Sequence, residues 1–297
     1  MKRALVFLLA LAAISVGAVW FASTRQAAPQ ASETSVPAYA TFYPMAEAVR
    51  RVGGAHVHVV TLTPPGAEPH DYEPTPRDLA SIGAGGVFVM NGGVDAWADR
   101  ILPDLRARGT VVARAADRLP EVAEDPHVWL DPVRAAAIGE LVRDALSEAD
   151  PAHAAEYRAN AEAYADDLRA LDQAYLDGLT SCELRTVVSS HEALGYLAAR
   201  YGFTAVSVAG IEPEEEPSPR QMAEIADAAK KAGVKHVFFE TLVSPKLSQA
   251  IASEIGAETL VFDPAEGVSE EAAAEGEDYF SIMRANLNAL RTAMVCR

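Results

Sequence analysis

The sequence predicts an α/β protein with two lobes, each a mainly parallel sheet flanked by helices, joined by one long rigid connector helix. Short apolar runs alternate with longer amphipathic stretches along most of the chain, a pattern typical of parallel strands linked by helices. A single unbroken helical pattern near the middle separates two such series. The 297 residues also suffice for two domains that each bury a core.

The first series covers 37–150, which we call the amino-terminal lobe. Its predicted elements are strands over 37–41, 56–62, 86–90 and 110–113 and helices over 43–52 and 94–108. Another helix begins at Asp131-Pro132, because the aspartate can cap free backbone N–H groups and a proline at the first helical position loses no hydrogen bond. The loop before this helix is therefore pinned.

The connector helix is predicted over 151–179. Large apolar side chains recur there at helical spacing, and the stretch 152–177 contains neither proline nor glycine. At about 1.5 Å per residue such a helix would be roughly 40 Å long, the width of a domain. An ordinary long surface helix is the alternative.

The second series covers 180–297, the carboxy-terminal lobe. Its predicted elements are strands over 184–189, 204–209, 236–240 and 259–262 and helices over 192–201, 219–232, 245–255 and about 277–294.

The amino terminus is expected to direct export. Lys2 and Arg3 precede an apolar run to Ala22, which predicts a signal peptide over 1–22 or, since about 19 apolar residues can nearly cross a bilayer, an uncleaved anchor. Residues 23–36 are rich in Ala, Ser, Gln and Pro and predict a flexible tether. In both cases the folded body is periplasmic or otherwise extracytoplasmic.

The net charge indicates which class of partner the protein can bind, and the cysteines bear on the compartment in which it folds. The formal charge of −17 opposes binding to nucleic acid and favours cations. The two cysteines, Cys182 and Cys296, predict a disulfide in an exported protein, with two buried free thiols as the alternative.

Four side chains are candidate ligands at strand ends. His70, His191 and Asp263 each follow a predicted strand, and His127 lies in the pinned loop before Asp131. In open α/β sheets, ligands bind at the carboxyl ends of strands. Because two candidates lie before the connector helix and two after it, the predicted site is the cleft between the lobes.

Three imidazoles and one carboxylate suit zinc, whereas calcium or magnesium would require mostly oxygen donors. Glu240 and Glu68 also lie near the predicted site, where they could reach the metal or orient a ligand through a hydrogen bond. For the remaining histidines, His56, His58, His153 and His236, we expect structural or solvated roles.

Several motifs resemble the extracytoplasmic zinc- and manganese-binding proteins of ABC metal importers, the ZnuA-like proteins. The matching stretches are Pro-Pro-Gly-Ala-Glu-Pro-His-Asp-Tyr-Glu-Pro (64–74), Asp-Pro-His-Val-Trp-Leu-Asp-Pro (125–132) and Ser-Ser-His-Glu-Ala-Leu-Gly-Tyr-Leu-Ala (189–198), followed by Glu212-Pro213 to Pro219 and Phe238-Phe239-Glu240. The resemblance covers nearly the whole chain from about Ala38. It implies two lobes joined by one long helix, with a metal held between them by His70 and His127 from one lobe and His191 and Asp263 from the other.

The resemblance implies a binding protein, not an enzyme, that captures Zn²⁺ and delivers it to a membrane permease with its ATPase. We expect a monomer. Members that select manganese resemble this pattern but carry glutamate at the third position, where this chain has His191, which favours zinc over Mn²⁺. The alternatives are a manganese- or iron-binding component of the same importer class, a zinc hydrolase with Glu240 or Glu68 as the base, and an adhesin.

Overall fold

The computed structural model describes residues 35–297, and residues 36–297 form one compact unit. The predicted signal or anchor at 1–22 and nearly all of the predicted tether lie outside the described residues. Within 35–297, no helix is both long and apolar enough to cross a bilayer.

A four-stranded parallel sheet forms the amino-terminal lobe. Its strands are β1 Val36–Ala40, β2 Val57–Thr61, β3 Val87–Met90 and β4 Val111–Arg114, in the order β2-β1-β3-β4. The helices are α1 Tyr43–Gly53, α2 Pro76–Ser81, α3 Leu102–Ala107 and α4 Pro132–Ala149. The predicted cap of α4 is present, since the Asp131 carboxylate accepts a hydrogen bond from the backbone N–H of Val133 at 2.9 Å.

The carboxy-terminal lobe repeats this arrangement. Its strands are β5 Thr186–Ser189, β6 Thr204–Ser207, β7 His236–Phe239 and β8 Glu258–Val261, all parallel, in the order β6-β5-β7-β8. The helices are α6 Gly195–Tyr201, α7 Pro219–Ala232, α8 Lys246–Ile255, α9 Glu270–Ala274 and α10 Tyr279–Ala293. The predicted fold class is confirmed, whereas the exact domain boundaries stay a prediction.

The long helix between the two sheets is α5, Ala154–Leu179, preceded by a 3-10 turn over Pro151–His153. Its periodic side chains are buried as predicted: Tyr157, Tyr164, Leu168, Leu171, Tyr175 and Leu179. They join one continuous apolar cluster that also contains Trp129 and Val89 of the first lobe and Phe238 and Phe262 of the second. Separate, smaller clusters cover the outer face of each sheet. The two lobes therefore share their central core.

Two predicted helices are shorter than the sequence pattern indicated. The stretch 94–108 divides into a 3-10 helix over Ala96–Arg100 and α3, because Pro103 in the first turn of α3 has no N–H to continue an earlier helix. The helix predicted from 192 begins only at Gly195, since the preceding residues form the loop that holds His191. The short helices α2 and α9 were not predicted.

The predicted disulfide between Cys182 and Cys296 is confirmed. It joins the chain just after α5 to the end of the chain after α10, where the two cysteines also form an isolated antiparallel bridge. Since 114 residues separate them, the bond closes most of the carboxy-terminal lobe into one loop.

Replacing both cysteines by serine should lower the free energy of unfolding of metal-free residues 36–297 by about 4 kcal/mol, because the cross-link restricts the unfolded chain. Denaturant titration of the oxidised protein and the double variant measures this difference. Reduced wild-type protein is the matched control and should unfold like the variant. Equal stability of the oxidised protein and the variant would contradict a stabilising role.

Candidate metal centre

Three of the predicted ligands meet at the carboxyl ends of the two sheets. His70 lies in the loop after β2, His127 in the loop between β4 and α4, and His191 two residues after β5. The carboxylate that meets them is Glu266, which lies in the loop after β8. Two parallel sheets of identical strand order thus bring four side chains from separate loops to one point.

The distances among these four side chains match the edges of a metal tetrahedron. Nε2 of His127 is 3.3 Å from Nε2 of His70 and 3.0 Å from Nε2 of His191. Oε1 of Glu266 is 3.4, 3.5 and 3.8 Å from Nε2 of His70, His127 and His191, respectively. Zinc bonds of about 2.0 to 2.1 Å would separate tetrahedral ligand atoms by about 3.3 to 3.4 Å. The arrangement is therefore already close to the geometry that zinc requires.

Because the four side chains are buried, bringing them together costs free energy unless a cation accompanies them. The four side chains are at most 1% exposed. Among the described residues, both carboxylate oxygens of Glu266 are buried without a hydrogen-bond partner, as is one oxygen each of Glu68 and Glu240. A buried ionised carboxylate is strongly disfavoured unless it is paired or bound to a metal. The donor set and its unpaired oxygens fit a divalent cation.

Each imidazole also faces a carboxylate on the side opposite the centre. Nδ1 of His127 is 2.8 Å from Asp125, and Nδ1 of His191 is 2.6 Å from Glu240. Nδ1 of His70 is 3.4 Å from the Glu212 carboxylate. The carboxylates of Asp125 and Glu240 engage Nδ1 of His127 and of His191, direct the Nε2 lone pairs towards a metal and increase the basicity of these two rings.

The position of Glu240 follows from strand order. Glu240 comes directly after β7, which pairs with β5, and His191 follows β5 by two residues. The side chain of Ser190 also donates a hydrogen bond to Glu240. Neighbouring parallel strands therefore deliver the ring and its carboxylate to the same place.

Glu68 lies beside the centre but contacts the backbone, since its Oε1 accepts a hydrogen bond from the backbone N–H of His70 at 3.1 Å. Burial, together with the charge of Glu266, raises the pKa of Glu68 to about 8. The backbone hydrogen bond of Glu68 helps to fix the His70 loop, and its raised pKa favours the uncharged carboxyl beside Glu266.

The facing carboxylates also set the protonation of the histidines. Burial alone lowers the pKa of His127 and of His191, but the neighbouring carboxylates outweigh burial and the net pKa of each is raised. Burial likewise opposes ionisation of Glu266, yet His127 and His70 hold its pKa below the usual range. These shifts favour positive charge on His127 and His191 beside an ionised Glu266.

The fourth predicted ligand, Asp263, requires a correction, because the structure does not bring it into this group. Its carboxylate turns back and accepts hydrogen bonds from the backbone N–H of Ala265 at 2.7 Å and from the hydroxyl of Thr241 at 3.0 Å. Ala265 adopts a left-handed conformation with φ of 56°. This turn carries the chain back into the cleft one residue later, so that Glu266 reaches the histidines.

Trp129 ties the ligand loops of the two lobes together. Its indole N–H donates a hydrogen bond to the carbonyl of Pro264 at 2.7 Å, and its own carbonyl accepts one from the hydroxyl of Tyr279 at 2.6 Å. Trp129 follows His127 by two residues, and Pro264 precedes Glu266 by two. The tie therefore fixes one ligand from each lobe relative to the other.

Sequence reasoning missed Glu266, Asp125 and Glu212. Glu266 lies in the same loop after a strand as Asp263, so the pattern pointed to the loop but not to the residue. Asp125 lies two residues before His127, the same spacing as that of Glu68 before His70. Glu212 comes from a distant acidic loop, and no local signal links it to His70.

A comparison with protein families identifies the chain. Residues 39–293 match the model of the family described as zinc-uptake complex component A, periplasmic. The chain belongs to this zinc-uptake component A family. The resemblance predicted from the motifs is confirmed.

Curated relatives in the family include two proteins named for zinc. The zinc-binding protein AdcA of Streptococcus pyogenes serotype M1 is 32% identical over 98% of this chain and 61% of its own length. The high-affinity zinc uptake system protein ZnuA of Bacillus subtilis strain 168 is 31% identical over 98% of this chain and 97% of its own length. The chain thus spans about three fifths of AdcA but nearly all of ZnuA.

Solved structures share the fold. The Zn(II)-bound ZnuA-like domain of Streptococcus pneumoniae AdcA is 35% identical, with a TM-score of 0.77, over 88% of this chain and 99% of that domain. The laminin-binding protein Lmb of Streptococcus agalactiae, described as having adhesin and metal-transporting activity, is 32% identical, with a TM-score of 0.80, over 88% of this chain and all of that chain.

Substituting the two acidic residues of the loop after β8 separates their roles. Glu266→Gln keeps the size of the side chain but removes its charge, and we expect the zinc affinity to fall by more than about 100-fold, since an anionic donor is lost. Asp263→Asn should weaken binding less, because it alters only the turn. Calorimetric titration of both variants provides the comparison. A larger loss in Asp263→Asn would restore Asp263 as the ligand.

Proposed function

We propose that this protein captures Zn²⁺ outside the cytoplasmic membrane and hands it to an ABC-type importer. The observation that carries the proposal is the buried group of three imidazole nitrogens and one carboxylate at tetrahedral spacing. Its ligands are His70, His127, His191 and Glu266. The zinc named in the family description and in the relatives supports the same conclusion.

The ligand set supports a preference for zinc over manganese. Three neutral nitrogen donors suit a borderline ion, and Mn²⁺ favours more oxygen ligands and a higher coordination number. His191 determines whether zinc or manganese is preferred, because a carboxylate in its place would give two nitrogen and two oxygen ligands. The carboxylates behind His127 and His191 increase the basicity of these two rings and strengthen the same preference.

Uptake and release require a path to the buried ligands. A cavity of about 500 Å³ beside α1 and α9 is lined by Glu266 and by the acidic Glu270 and Glu277, while its Glu47 and Asp278 are paired with Arg51. This charge favours cations. Because the lobes share a core, we propose that the ligand loops open when the protein docks on a membrane permease served by an ATPase, with little movement of the lobes.

Geometry argues against a zinc hydrolase. A catalytic zinc site keeps one position open for water, whereas here Glu266 completes the tetrahedron. The two candidate bases are also unsuited to the role. Glu240 is engaged by hydrogen bonds with His191 and Ser190, and Glu68 accepts a hydrogen bond from the backbone N–H of His70. These observations support binding without catalysis.

Metal selectivity is tested by titrating metal-free residues 36–297 with zinc and with manganese. We expect one tight site that prefers zinc and is abolished in His191→Ala. His191→Glu is the informative partner variant and should shift the preference towards manganese, because it replaces nitrogen by oxygen. Manganese binding equal to zinc binding in the wild type would contradict the proposed cargo.

The pH dependence follows from the raised pKa values of His127 and His191. Protons compete with zinc for these rings, so the affinity should rise with pH. On acidification it should begin to fall while the pH is still above the usual imidazole pKa of about 6.5. Calorimetry in two buffers of different ionisation enthalpy should also detect protons released on binding. A constant affinity between pH 8 and pH 6 would contradict this account.

A further inference from the structure

A second group of metal-ligating side chains lies away from the cleft. His56, His153 and Glu156 place ligand atoms within 4.8 Å of one another. His56 ends the 3-10 turn before β2, and the other two residues lie at the start of α5. The group therefore connects the amino-terminal lobe to the long helix.

The contacts within this group are close and include two imidazoles. Nε2 of His56 is 2.6 Å from the Glu156 carboxylate. The rings of His56 and His153 stack with their centroids 3.9 Å apart. Two imidazoles and a carboxylate are a donor set typical of zinc and other late divalent transition metals.

A carboxylate orients one of the rings, as in the cleft. Nδ1 of His153 is 2.6 Å from Asp150, and the hydroxyl of Tyr157 donates to the same oxygen at 2.8 Å. This contact engages Nδ1 of His153 and leaves Nε2 as the ring nitrogen that can face a metal.

We propose that His56, His153 and Glu156 form a second, solvent-accessible site for a divalent transition metal. The side chains are 26%, 34% and 61% exposed, so that water completes the coordination. The ring of His56 must turn about χ2 to leave the stack, a torsion with a broad profile, and exposed Glu156 can follow it. The positive end of the α5 dipole opposes a cation there, and Glu156 offsets it. This site binds more weakly than the cleft and fastens β2 to α5.

Equilibrium dialysis against zinc, with metal analysis of the retained protein, tests this site in residues 36–297. Wild-type protein should retain two zinc ions, one tightly and one weakly. His56→Gln and His153→Gln should each lose the weak ion and keep the tight one, and Glu266→Gln should keep the weak ion. His58→Gln is the matched control, because His58 is an exposed histidine of β2 outside the group, and it should keep both ions.

A wild-type protein that retains a single tight ion would overturn the proposal. So would a weak ion that survives in the double variant of His56 and His153. The inference does not rest on the proposed function. If wild-type protein retained no tight ion, the cleft site would be contradicted. A weak ion that depends on His153 would still establish the second site. Circular dichroism of each variant verifies that it is folded.

Discussion

The Glu266 carboxylate is the charge around which the cleft is organised. It is buried, has no hydrogen-bond partner for either oxygen, and faces three imidazoles contributed by both lobes. Such a group is stable only if positive charge accompanies it, whether as protons on the rings or as a bound metal. Protons and a bound metal would therefore compete for the same three rings.

The lobes are held in place by more than the metal. One apolar cluster passes from the first sheet through α5 to the second, and Trp129 joins the loop of His127 to the loop of Glu266. A shared core of this kind resists wide hinge motion, because opening it would expose buried apolar surface. The loops that bear these four side chains are therefore better able to move than the lobes as whole bodies.

The sequence predicted the elements that have a periodic pattern and clear ends. α5 was recognised from its buried tyrosines and leucines, and α4 from its Asp131 cap. The prediction of one helix over 94–108 was wrong. The apolar spacing continues past Pro103, but proline lacks the N–H that a continuous helix needs there. Secondary structure was thus predictable wherever local preference and packing agreed.

The site was predictable to the level of its loops. The three histidines were found because strand ends in such sheets gather ligands, but this rule does not distinguish two acidic residues of one loop. The choice of Glu266 over Asp263 depends on a left-handed turn at Ala265 and on hydrogen bonds to Thr241. The contact of Glu212 with His70 depends on tertiary packing across the cleft. Neither feature has a local sequence signal.

The most direct test of this account is a crystal structure of zinc-loaded residues 36–297 with anomalous data at the zinc edge. The account predicts one ion at full occupancy in the cleft, bound by Nε2 of His70, His127 and His191 and by the Glu266 carboxylate at about 2.0 to 2.2 Å. An ion bound by Asp263 in place of Glu266, or one with an open position filled by water, would contradict it.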